Sequence, residues 1–177
     1  MCERRFKIPE EVTFWVCDKI VSNKKLSNRL RTAGCDYLFT IADFYPKLLT
    51  GKDSVLKKVV ETICLTCSEP YHPEQDEETG EYVQEVALWL IETLSITIKA
   101  KKIYPVLFEA ATSLINSNDK NQANTGFLIL GSMSEGCSDK LKKNLQNPVM
   151  NVLIPRGLQH EAPEVRGAAI NALCFFS

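Results

Sequence analysis

The chain has 177 residues, 45% of them hydrophobic, and a formal net charge of −1. That suffices for one domain with a real core and excludes a disordered polymer. No apolar run reaches the roughly 18 residues of a membrane span, Met1-Cys2-Glu3-Arg4-Arg5 leads into no apolar h-region, so no secretory leader is expected, and seven cysteines, most among apolar patterns, fit buried free thiols better than a disulfide framework.

No stretch alternates with the period of a strand; helical patterns follow one another instead. Val12, Trp15, Val16 and Ile20 form a stripe after Pro9. A second helix is predicted from near Ser27 to about Phe44, packing Leu30, Ala33, Gly34, Leu38 and Ile41. A third uses Leu56, Val59, Val60, Ile63 and Cys67, and a fourth Val83, Val86, Ala87, Leu90, Ile91, Leu94 and Ile98. The fifth begins near Ile103, with Val106, Leu107, Ala110, Ala111 and Leu114. A sixth uses Ala123, Gly126, Phe127, Leu130 and Met133, and a seventh starts around Pro148 with Val152, Leu153 and Leu158. The eighth is "PEVRGAAINAL" (163–173), opened by a proline and an acid that suit a first helical turn. Short links such as "NSND" (116–119) and "QHEA" (159–162) fit antiparallel pairs.

The pairs recur. Gly126, Phe127, Leu130 and Met133 match Ala169, Ile170, Leu173 and Phe176 at an offset of 43, which Pro105 and Pro148 share. Ala87 lies 39 before Gly126, and Gly34 lies 53 before Ala87. An inserted loop within "SEPYHPEQDEETGE" (68–81) accounts for the long spacing. Two helices per repeat of about 40–47 residues is the range of HEAT and armadillo repeats. The expected fold is therefore all-α: an α-solenoid of about four antiparallel HEAT pairs, about eight helices. The approximate repeats are 9–46, 53–98 with the acidic loop 68–81, 103–138, and 148–177, the last truncated. Neither end carries the polar outer face of a terminal repeat, so residues 1–177 are expected to be one segment of a larger solenoid. Small residues at Ala33-Gly34, Gly126 and Ala168-Ala169 are expected to mark the tight contact inside each pair.

Three stretches carry a resemblance: "EYVQEVALWLIETLSITIKAKKIYPVLFEAA" (81–111), "FLILGSMSEGCSDKLKKNL" (127–145) and "LIPRGLQHEAPEVRGAAINAL" (153–173). In their order and spacing the chain resembles the middle of a receptor of the importin-beta (karyopherin-beta) superfamily, closest to the importin four branch. The repeat's turn arginine is present as Arg166 and Arg31, but Gln84 and Ala123 occupy the equivalent places in the middle repeats, so no continuous ladder of turn ion pairs is expected. The amino-terminal region through which this family mainly engages Ran is not expected among these residues, so the resemblance does not imply Ran binding by residues 1–177 alone.

Chemistry of the enzymatic kind is not expected: there is no phosphate-cradling glycine loop and no serine-nucleophile motif. "CLTC" (64–67) is a lone Cys-x-x-Cys whose two cysteines share a helix face with Val60 and Ile63, and the two histidines, His72 and His160, have no paired metal spacing. No metal, no cofactor and no catalytic residue is assigned.

The informative feature is charge. From Ser68 to Ile98 there is no Lys or Arg, against Glu69, Glu74, Asp76, Glu77, Glu78, Glu81, Glu85 and Glu92. Glu85, Trp89 and Glu92 fall at i, i+4 and i+7, opposite the apolar stripe of their helix. A tryptophan between carboxylates suits the stem and charge of a Lys or Arg. The acidic loop Glu74, Asp76, Glu77 and Glu78 would steer a basic partner over distance. A negative field argues against direct nucleic-acid contact, and no membrane insertion is expected.

The resemblance implies a nuclear transport receptor segment. It would bind basic protein cargo (histones, ribosomal proteins or nuclear-localisation peptides) on an inner surface lined by second helices. Ran would act through the full-length receptor, which would shuttle between cytoplasm and nucleus. The alternative is a HEAT scaffold organising a protein complex.

Overall fold

The chain's local signals place its helix starts. Ser27 stands in extended conformation before α2 (Asn28–Phe44), and prolines occupy the first helical position of α3 (Pro46–Gly51) and α10 (Pro163–Cys174). There the missing N–H costs nothing. Asp119 caps α7 (Lys120–Ser132) by accepting from the backbone N–H groups of Asn121 at 2.8 Å and Gln122 at 3.3 Å. The computed structural model describes residues 10–71 and 82–176. Among them the remaining helices are α1 (Glu10–Trp15), α4 (Asp53–Cys67), α5 (Val83–Thr97), α6 (Ala100–Ile115), α8 (Ser134–Asn144) and α9 (Ile154–Leu158). Two wider π-helical stretches, Val16–Val21 and Leu145–Leu153, continue α1 and α8. No strand occurs among the described residues.

These elements form two layers. Glu10–Val21, α4, α6 and the run from α8 to α9 make the first; α2, α5, α7 and α10 make the second. Each second-layer helix packs on its partner and on the next helix of its own layer: α2 on α5, α5 on α7, α7 on α10. One continuous core of leucine, isoleucine and valine runs between the layers, from Val21 and Leu38 through Leu90, Leu107 and Leu130 to Val165. This is a HEAT-type solenoid.

The small residues do mark the contact inside pairs. A Cβ on Gly34 would stand 2.8 Å from Ile20 Cγ2, and one on Gly126 would stand 2.7 Å from the backbone nitrogen of Ile115. Ala169 meets Gly157 in the last pair. Ala33, by contrast, is exposed, and Gly34 alone makes the contact in the first.

Several expected faces are rotated. In the first helix Val12 and Trp15 are exposed on α1, whereas Thr13, Val16, Cys17 and Val21 turn inward. Leu30 is exposed on α2, whereas Arg31, Thr32 and Cys35 are buried. Near the carboxyl end Val152 and Leu158 are exposed, and Val149, Leu153, Ile154 and Gly157 form the packed face. Residues 134–144 are helical with a kink at Cys137. Asn147, just before Pro148, is extended (φ −144°, ψ 113°), the conformation proline imposes on its predecessor. Among the described residues ten α-helices occur, against about eight expected, because α3 lies in a link and the last first-layer rod is broken into α8 and α9.

Candidate functional site

Glu85, Trp89 and Glu92 stand on the solvent face of α5, all exposed. Their helix fixes them there: Val83, Ala87, Leu90, Ile91 and Leu94 are buried on the opposite side. Trp89 is 58% exposed, and Ile96, one turn beyond Glu92, is 55% exposed. A tryptophan left this open in the middle of a layer is not explained by core packing. At the 53-residue offset of the first two repeats, α2 presents Asp36, Phe39 and Asp43 beside Trp89, Glu92 and Ile96, and all three are exposed. The face therefore alternates carboxylates with aromatic and aliphatic groups, and α5 carries no basic residue.

Between α5 and α7 the face deepens into an open cleft of about 340 Å³. Its walls include Gln84, Glu85 and Leu88 from α5, and Asn121, Asn124 and Leu128 from α7. Its floor is the end of α4, held by the Thr125 hydroxyl donating to the Cys67 carbonyl at 3.1 Å. Gln84 Nε2 donates to the Pro70 carbonyl at 3.2 Å, while its Oε1 is buried without a partner among the described residues. Glu69 also borders the cleft, but Arg31 holds its carboxylate through two bonds of 2.7 and 2.8 Å. Arg31 is itself buried and uses Nε on the Val21 carbonyl at 2.8 Å. Arg166 in the last pair instead bonds its own adjoining loop, donating to the carbonyls of His160 and Glu161.

Glu74, Asp76, Glu77 and Glu78 lie outside the described residues. The residues on either side are Tyr71 and Tyr82, whose ring centroids are 4.4 Å apart at the mouth of the cleft. Cys64 is buried in the core, where burial pushes its thiol up to about 12; Cys67 is half-buried, and burial likewise raises it. Both pack with the core residues of α4.

Sequence reasoning missed the cleft. Gln84 showed only as a break in the arginine pattern, and Asn121 and Asn124, at i and i+3 off the apolar face of α7, gave a faint signal.

The comparisons with known proteins agree with this architecture. No family model matches the chain. It is 26% identical over 184 residues to importin-4 of Homo sapiens, covering 96% of this chain and 17% of that protein. It is 29% identical over 98 residues to importin-4 of Mus musculus, covering 55% of this chain and 9% of that one. A probable importin-5 homolog of Dictyostelium discoideum is 25% identical over 161 residues. The chain is thus similar in sequence to importin-4 over nearly its whole length. It spans less than a fifth of the length of the curated relatives it matches. Among solved structures, Kap121p bound to Pho4p superposes with a TM-score of 0.81 at 17% identity, over 94% of this chain and 18% of that one. Kap121p bound to RanGTP gives 0.79 at 18% identity, over 93% and 17%. These structures share the fold with the importin-4-like chain.

Proposed function

We propose that this chain is part of a nuclear transport receptor and binds basic protein cargo on the solvent face of its second layer. The observation that carries the reading is Trp89, 58% exposed between Glu85 and Glu92 on a face without Lys or Arg on its helix. An indole accepts the aliphatic stem and cationic head of a lysine or arginine, and the flanking carboxylates take the charge. Asp36 and Asp43 on α2 extend the acidic track. The acidic residues Glu74, Asp76, Glu77 and Glu78 raise encounter rates by long-range attraction that salt screens.

The relatives support the transport reading: they are importins, and Kap121p has been captured with Pho4p and with RanGTP. In this reading histones, ribosomal proteins or nuclear-localisation peptides are the cargo. Ran acts through the longer receptor, which moves between cytoplasm and nucleus, and no residue here does covalent chemistry.

The test is fluorescence anisotropy of the chain with a lysine-rich peptide at low and physiological salt. The triple variant Trp89→Ala, Glu85→Gln, Glu92→Gln is expected to bind at least about tenfold more weakly, the loss of one cation–π contact and two charge pairs. Unchanged affinity would remove this face from the cargo site.

A further inference from the structure

The link 22–27, between the first rod and α2, opens a charge pattern that neither the core nor the tryptophan face uses. From Ser22 to Cys35 there are four bases, Lys24, Lys25, Arg29 and Arg31, and no acid. Arg31 is buried on Glu69 and the Val21 carbonyl, so Lys24, Lys25 and Arg29 form the exposed part. Lys24 reaches only to 3.8 Å from Glu69, and Lys25 and Arg29 have no ion-pair partner among the described residues. Ser27 follows the two lysines as Lys24-Lys25-Leu26-Ser27, with bases three and two residues before its hydroxyl. It is the one serine or threonine of the sequence so placed. Basophilic serine/threonine kinases read this arrangement, because acidic subsites on the enzyme take the two cations while the hydroxyl enters the catalytic centre.

The fold presents the pattern to solvent. Lys24, Lys25 and Ser27 are all exposed. Ser27 has extended backbone (φ −62°, ψ 151°), and its hydroxyl makes no cap bond to α2. Local bonds of a surface turn hold the link, among them the Leu26 N–H to the Asn23 carbonyl at 3.0 Å and the Lys25 N–H to Asn23 Oδ1 at 3.1 Å. Drawing such a turn out into an enzyme cleft leaves the packed helices in place. Thr32 is the contrast. Arg29 lies three residues before it, but its hydroxyl is buried between the helices.

The structure assigns Ser27 as a phosphorylation site for a basophilic serine/threonine kinase, its phosphate held by Lys24, Lys25 and Arg29. In the transfer Ser27 Oγ bonds the γ-phosphorus of ATP as the bond from that phosphorus to the β,γ-bridging oxygen breaks. ADP leaves, and the hydroxyl proton passes to the kinase's catalytic carboxylate. The product brings a charge of about −2 to the link. Three bases lie within three residues of it and no acid does. Its oxygens also supply the acceptor that the Ser27 hydroxyl does not, at the positive end of a 17-residue helix. Phosphorylation thereby fastens the link to α2 and draws Lys24 away from Glu69. The site stands whether or not the tryptophan face binds cargo.

The experiment incubates the whole chain with ATP and the catalytic subunit of cAMP-dependent protein kinase, and locates the phosphate by tandem mass spectrometry. Ser27 is expected to be modified in the folded chain, and Ser27→Ala to lose most of the incorporation. Lys24→Ala with Lys25→Ala is expected to slow the reaction at least about tenfold, the loss of one or two charge-assisted contacts. These side chains are exposed, and circular dichroism checks that the variants stay folded. The phosphorylated chain is expected to unfold at higher urea than the unmodified one, and Arg29→Ala to reduce that gain. A chain left unmodified at Ser27 overturns the site, and a peptide of residues 20–32 run beside it shows whether the fold or the sequence is at fault. Incorporation that the double lysine variant leaves unchanged overturns the recognition by Lys24 and Lys25. An unfolding midpoint that phosphorylation leaves unmoved or lowers overturns the seat for the phosphate.

Discussion

Replacing Arg31 by methionine tests how the first two repeats are joined. The guanidinium is 4% exposed and makes three bonds: Nε to the Val21 carbonyl at 2.8 Å, and a fork to Glu69 at 2.7 and 2.8 Å. It thereby ties the end of the first rod and the start of α2 to the exit of α4. Methionine keeps the stem's packing but strands the Glu69 carboxylate, itself 11% exposed, with only Lys24 at 3.8 Å. Lys24 is 70% exposed, so that contact returns little. Removing one partner of a buried pair costs about 3–5 kcal/mol, and the residual access of water to Glu69 places this case near the lower figure. With a urea slope of about 2–3 kcal/mol/M, the unfolding midpoint followed by circular dichroism falls by about 1 M. Adding Glu69→Leu removes the stranded charge and recovers most of the loss. If Arg31→Met unfolds within about 0.3 M of the parent, the clamp does not couple the repeats and the reasoning fails.

Leu130→Ala lowers stability by about 2–5 kcal/mol, because Leu130 is fully buried between α7 and its neighbours; a urea titration checks it. Gly126→Val is expected to be severely destabilising. Even its first carbon meets the fixed backbone of Ala111 and Ile115, and a thermal melt that moved upward would contradict the close approach of α6 and α7. Burial pushes the thiols of Cys17 and Cys137 up to about 11 and that of Cys35 to about 12. At pH 8 a thiol with a pKa near 11 is only about 0.1% thiolate, so a thiol-reactive dye should label exposed Cys174 in the folded chain and these three only after urea is added. The same shifts carry a pH dependence. Unfolded thiols ionise from about pH 9 while the folded ones keep their protons, so stability is full below that value and falls as pH rises toward 11–12. A midpoint flat across that range would exclude it.

The sequence by itself determined the repeating helical pairs, because the apolar spacing of α4, α5 and α7 is regular enough to name the centre of the core there, from Val59 and Ile63 through Leu90 and Leu94 to Phe127 and Leu130, though it passed over Val55, Thr62 and Ile129. It also showed that Glu85, Trp89 and Glu92 share one outward face, since helical geometry alone puts i, i+4 and i+7 together. It failed on which face some rods bury: Val12 and Trp15 face outward on α1, and Val152 and Leu158 face outward in the rod broken near Pro148. Only the tertiary structure decided what meets across repeats. The Arg31–Glu69 fork joins residues 38 apart, and the cleft joins Gln84 to Asn121 and Asn124. No periodic pattern records such pairs, because they depend on how one helix pair is set against the next, which the packing of many side chains fixes together.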